Sequence, residues 1–375
     1  MFDKTSDVFS LLSEEDQSSM KPMMPWTLML AGDLLTKVEG FSWSAFGADG
    51  DKLLLHQRAF NYEVHAKVAV GLYSCVTPAI FGATQWLLLM QYGRVGDAAK
   101  LSDDNLLWTE KVMADPKAAG FVHSFCWSTG SLAAVYTMQG LTTHFQRHYA
   151  MLGISFDSAE ERLAEVTGPD ELMTSLDQSG PGGGLMHIKR IAWHAKSLCI
   201  LNMDVPEAKA IAWLESLPDD NAFVELTVGM GVGFDFGMQF NGCYHTVWIA
   251  LAHEKVGLWD GALRFADLSI HTELFTKSET SQVWPTVMAL LCKGRVFAKL
   301  GRHADALSAF EAAIVASKES YIMMQAFAYQ GLANYAAVDG SNATAAQAAN
   351  DLGSKLKEFA GRLTTAEFEQ LRVAP

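Results

Sequence analysis

Residues 287–314 read VMALLCKGRVFAKLGRHADALSAFEAAI. The first half places Val287, Leu290, Leu291, Gly294, Phe297 and Leu300 at helical spacing. Gly301-Arg302 then breaks the pattern, and glycine suits the left-handed residue just past a helix C-terminus. The second half places Ala306, Leu307, Phe310, Ala313 and Ile314 on one face. Pro285 stands just before the first helix, where its missing N–H costs no hydrogen bond. The stretch predicts two antiparallel helices joined by a tight turn.

The same turn recurs. GRVGDA (93–98), GLWDGA (257–262) and GRHADA (301–306) all read Gly, four residues, Ala, and MDVPEA (203–208) is a degenerate fourth. Each lies between two apolar helical patterns. A small residue early in the second helix lets the two axes approach closely. Runs of alternating β-branched residues are scarce, so the expected fold class is all-α.

Over residues 293–313 the pattern becomes specific. A small residue (Gly294) is followed by an aromatic three positions on (Phe297), Gly at the turn, Ala306, Phe310 and Ala313. In this the chain resembles the tetratricopeptide repeat (TPR) superfamily. The usual closing Pro is replaced by Lys318, and the preceding unit keeps Ala262 but has Ala266 where Phe is usual. A following unit aligns Gly331 with Gly294, and the preceding one aligns Gly257 with Gly301. The resemblance is clearest over residues 245–337 and looser over 185–217 and 66–107. It implies an antiparallel helix-pair solenoid, a right-handed superhelix of one or two packed arrays.

Two segments interrupt the repeats. Residues 154–186 carry a net charge of −6 and contain SGPGGG at 179–184, read as a loop and a boundary, preceded by a short acidic helix near 158–166. The second interruption is VGMGVGFDFG at 228–237. The expected organisation is an acidic, Met-rich arm at 1–24, a helical array at 25–153, a connector at 154–186, a TPR-like array at 187–340 and capping helices at 341–375. Leu352, Leu356, Phe359 and Leu363 form the stripe of that cap, and TTAE at 364–367 is a capping box opening a last helix.

Of 375 residues, half are apolar and 19% are charged, which excludes global disorder. The net charge of −14 argues against nucleic acid as a partner, because phosphate must be neutralised by Lys and Arg. Residues 1–20 account for −4 and the connector for −6, leaving −4 for the helical remainder. Five scattered cysteines (Cys75, Cys126, Cys199, Cys243, Cys292) never form CxxC and suit reduced thiols in a cytoplasmic protein. The N-terminus lacks the basic and apolar regions of a secretory signal. Residues 68–93 and 118–146 are free of Asp, Glu, Lys and Arg, yet Gly, Ser, Thr, Gln and His dilute both and Pro78 interrupts the first. Helices buried on both sides explain them better than membrane spans.

Candidate chemistry is thin. The 180–184 glycines lack the Gly-Lys-Ser/Thr of a phosphate loop, and Gly229, Gly231 and Gly233 are followed by Phe234 where a dinucleotide fingerprint needs Gly. His144 and His148 share a helical face without a third ligand, so core or solvated histidines are the simpler reading. His123 with Cys126 reads as core. Cys243 and His245 point apart on one helix, with His253 two turns on, which disfavours a thiol–imidazole pair. Glu160, Glu161 and Glu165 belong to a solvated acidic run, and Met20, Met23, Met24 and Met29 suit a core more than a soft binding surface. No catalytic residue, cofactor or metal ligand is assigned.

The TPR resemblance implies instead a concave groove lined by first-helix residues: Tyr244, Val247, Leu251, Lys255, Leu291, Arg295, Lys299, Gln325, Ala328 and Tyr335. Lys255, Arg295 and Lys299 make that groove locally basic and favour an acidic or carboxylate-bearing peptide. The Asn residues of the family's carboxylate clamps are not matched there. The expected function is a non-catalytic scaffold that binds a peptide or protein segment. Two alternatives stand beside it: an enzyme or small-ligand sensor with a pocket near residues 228–253 holding Asp235, His245 and His253, and a helical regulatory tail of a larger signalling protein.

Overall fold

A computed structural model describes residues 140–166, 183–218, 242–270, 283–318, 322–339 and 342–360, and helical residues within 102–110 and 133–138. Among the described residues there is no strand, so the all-α class holds. The helices are α1 (Thr142–Leu152), α2 (Ala159–Val166), α3 (Gly183–Asn202), α4 (Glu207–Glu215), α5 (Gly242–Lys255), α6 (Trp259–Ile270), α7 (Val283–Lys299), α8 (His303–Ser317), α9 (Ile322–Asp339) and α10 (Asn342–Ala360). The expected arm at 1–24, the turn at 93–98, the segment 68–93, the glycines of 228–237 and the capping box at 364–367 lie outside the described residues.

Glycine turns build the hairpins. Gly257 and Gly301 adopt φ of +76° and +71°, where side chains with a Cβ are strained. Each turn closes with the same pair of bonds: Gly301 N–H donates to the Ala298 carbonyl and Arg302 N–H to the Phe297 carbonyl, as Gly257 and Leu258 do to Glu254 and His253. The second helix begins two residues after each glycine, and its fourth residue, Ala262 or Ala306, is wholly buried.

Two corrections follow from this construction. In the degenerate unit Ala208 is exposed, and Ala210, the fourth residue of α4, takes the buried position. Its longer turn, with Pro206 at the helix entrance, displaces the register by two. Gly140 opens a further turn of the same kind, at φ +67°, with α1 starting two residues later. Its fourth helical residue is Phe145, buried, so a search for Ala at that place passes over it.

Other boundaries also move. Gly183 and Gly184, expected in a loop, form the first turn of α3. Pro285 is the third residue of α7 rather than its predecessor. Neither placement breaks a bond, because the first four N–H groups of a helix have no partner within it. The acidic helix expected near 158–166 is α2.

The helices from α5 to α10 pack each on the next, and α5 also touches α7, as α7 touches α9. α3 packs on α5, with α1 and α2 against α3. The contact between α7, α8 and α9 is closed by Phe310. A Cβ on Gly294 of α7 would stand 2.7 Å from its ring, and one on Gly331 of α9 would stand 3.2 Å from it. The two glycines aligned by the sequence therefore admit one ring between two helices, and Tyr335 lies against that ring at 5.4 Å.

Candidate functional site

The ten proposed groove residues divide into a buried and an accessible set. Val247, Leu291, Ala328 and Tyr335 are buried where α5, α7 and α9 meet their neighbours. The Tyr335 hydroxyl donates to the His303 carbonyl and accepts from His303 Nδ1, both at 3.1 Å, tying α9 to the start of α8. Leu251, Arg295 and Gln325 are half-buried, and Lys255 and Lys299 are exposed. The Tyr244 side chain lies outside the described residues.

Two of the three cations have partners inside the protein. Lys255 donates through Nζ to the carbonyls of Ile200 and Leu201 at 2.7 and 2.9 Å. These belong to the last turn of α3, whose carbonyls are orphaned and carry the negative end of the helix dipole. Partial burial holds the Lys255 ammonium below the usual lysine range, against a smaller opposing effect of Asp204. Arg295 grips Glu254 of α5 with a fork, Nε to Oε1 at 2.6 Å and a terminal nitrogen to Oε2 at 2.7 Å. Burial opposes the charge of Arg295, but the hydrogen bonds and charge of Glu254 outweigh it and raise its pKa. Cys292 lies one turn before Arg295 on α7, within the electrostatic reach of Glu254. Burial first, and then the charge of Glu254, pushes the Cys292 thiol well above its ordinary range, so it is no nucleophile.

Glu254 was not visible as a partner from the sequence, since Arg295 lies 41 residues away. One signal was available: Glu254 is the sole acid in α5. Asn202 is a second residue that spacing did not reveal. Its Nδ2 donates to Thr137 Oγ1 at 2.8 Å and its carbonyl accepts from Gln146 at 2.8 Å, joining α3 to α1 and to the helical residues before it.

The described histidines among the remaining candidates are held by packing or pairing inside the fold. His253 is buried in the α5–α6 hairpin, where Nδ1 donates to the Ile249 carbonyl at 2.8 Å. Its ring fills the space beside Gly261 and lies 5.2 Å from Phe265. Burial lowers its pKa to about 4, partly offset by the Ile249 bond and assisted by Arg264. His144 pairs with Asp103 at 2.5 Å, while His148 is buried with Tyr136 edge-on at 5.6 Å. Glu160 and Glu161 are exposed on α2. The Cys243, His245 and Glu165 side chains, Asp235, and the pair His123 and Cys126 lie outside the described residues. Among the described residues no group of three or more His, Cys, Asp or Glu is placed to hold a metal, and no helix is long and apolar enough to cross a membrane.

No family model matches the chain, and neither a curated protein nor a solved structure is significantly similar to it.

Proposed function

We propose that the protein is a non-catalytic, cytoplasmic interaction module, a TPR-like solenoid that holds a peptide or protein segment in a groove lined by α5, α7 and α9. One observation carries this reading: α5 touches α7 and α7 touches α9, in addition to the contacts within each hairpin. That pattern sets the first helices of three successive hairpins side by side. Val247, Leu291 and Ala328 are buried beneath that side and hold the helices together, and Leu251, Lys255, Arg295, Lys299 and Gln325 offer the reachable atoms. A surface made of packed helices is ordered before its partner arrives, so association loses little freedom of the scaffold.

The cations on this side favour an acidic segment. Because Lys255 and Arg295 also hold helices together, reversing their charge would disturb the fold. Lys299 is exposed at the end of α7 and is the informative position. Partners captured by the wild-type chain and by Lys299→Glu should be compared by quantitative mass spectrometry, with melting temperatures as a control. A groove ligand is expected to bind the variant about three- to tenfold more weakly, the size of a lost pair plus a new repulsion at an exposed site. Unchanged capture of every partner by a folded Lys299→Glu, Leu251→Glu double variant would remove the groove assignment.

A further inference from the structure

Glu254 has a place in the groove that the peptide reading does not use. It follows Leu251 by three residues on α5 and precedes Lys255, so it belongs to the same end of the helix. Its carboxylate receives two parallel N–H bonds from Arg295. A side-on fork onto a carboxylate is how arginine would recognise the side chain of an acidic partner. The pair remains within reach of solvent, with side-chain exposures of 34% for Arg295 and 18% for Glu254. Lys299 follows Arg295 by one helical turn on the same face, at a Cβ separation of about 5–6 Å. In an extended peptide, alternate residues lie on one side at about 6.6 Å. Arg295 and Lys299 thus match two acidic residues separated by one.

From this we infer that Glu254 is a built-in competitor for the acidic ligand: it occupies Arg295 in the free protein, and an extended segment of the form acid–any–acid replaces it, one carboxylate on Arg295 and the other on Lys299. The inference rests on the groove reading and adds the ligand pattern and its control. Glu254 lowers the affinity of the groove twice, by satisfying the guanidinium and by repelling the incoming carboxylate. Specificity follows from the same arrangement, because a single carboxylate gains too little to displace an internal one.

The test uses a fluorescein-labelled peptide of six Glu-Ser repeats and a Gln-Ser counterpart, titrated with the full chain at low salt and followed by anisotropy. Glu254→Gln keeps the shape and removes the charge. It should bind the acidic peptide about tenfold tighter than wild type, with no gain for the Gln-Ser peptide. Adding Lys299→Gln should cancel most of that gain. Glu254→Asp, whose carboxylate is drawn back by one methylene, should give a smaller gain in the same direction. If wild type binds and both folded Glu254 variants bind equally or more weakly, the competitor is refuted and the groove reading survives. If no variant binds the acidic peptide, the acidic-groove reading fails together with the competitor. If neither Glu254 variant folds, the pair is a structural tie and the inference is overturned.

Discussion

Phe310 shows how strongly single residues set helix spacing here. Its ring occupies the space that a side chain at Gly294 would need, and at Gly331 it stands 3.2 Å from a Cβ that would already meet Leu291 at 2.7 Å. Gly294→Ala forces a methyl group into that ring, and Gly331→Ala forces one against Leu291; each is expected to cost about 1–3 kcal/mol. Replacing Phe310 by leucine relieves the clash, so Gly294→Ala with Phe310→Leu should be more stable than the sum of the single changes, as urea midpoints will show. His253 gives a second residue-level expectation. The unfolded chain takes up a proton at this side chain as pH falls through the usual histidine value of 6.5, whereas the folded chain resists until about 4. The contribution is therefore complete above pH 6.5 and is lost progressively down to pH 4, by on the order of 3 kcal/mol. Denaturant melts across that range should show the loss, and His253→Leu should show a shallower slope. These two environments differ in legibility. The spacing of Gly294, Phe310 and Gly331 could be read as a packing pattern. The burial of His253 could not, because it depends on Gly261 leaving room in the opposite helix.

At the scale of elements, the turn is the unit that repeats. Glycine in the left-handed conformation, a two-residue step and a buried fourth helical residue recur at Gly140, Gly257 and Gly301. A side chain at Gly301 would meet no neighbour, so the cost of Gly301→Ala comes from the backbone alone. It is expected at about 1–2 kcal/mol, with Gly301→Asn costing less because asparagine tolerates that conformation. Thermal melts of the two variants and wild type check the order. Two of the turn motifs carried this geometry openly in the sequence. The Gly140 turn was hidden because Phe145 replaces alanine at the buried position. The α3–α4 turn was misaligned because Pro206 lengthens the entrance to α4, moving the buried role from Ala208 to Ala210. Helix ends followed apolar spacing only loosely, as the first turn of a helix tolerates Pro285 and Gly183 without losing a bond.

For the whole molecule, the charge of −14 is unevenly placed, with −10 in residues 1–20 and 154–186 together. The helices proposed to face a partner carry little of it: α5 holds one acid, α7 none and α9 only Asp339 at its end. An acidic protein can therefore present a basic surface. The residues proposed for that surface came from the tetratricopeptide-repeat resemblance. Their engagement was not legible in the sequence, because the bonds from Lys255 to α3 and from Arg295 to α5 join residues 41 to 55 positions apart. Backbone amide spectra of the isotope-labelled full chain, recorded while the alternating Glu-Ser peptide is added to Glu254→Gln, locate that surface directly. Perturbations confined to 247–255, 291–299 and 325–335 are predicted. Perturbations centred on α6, α8 or α10, or none at all at saturating peptide, would contradict the groove.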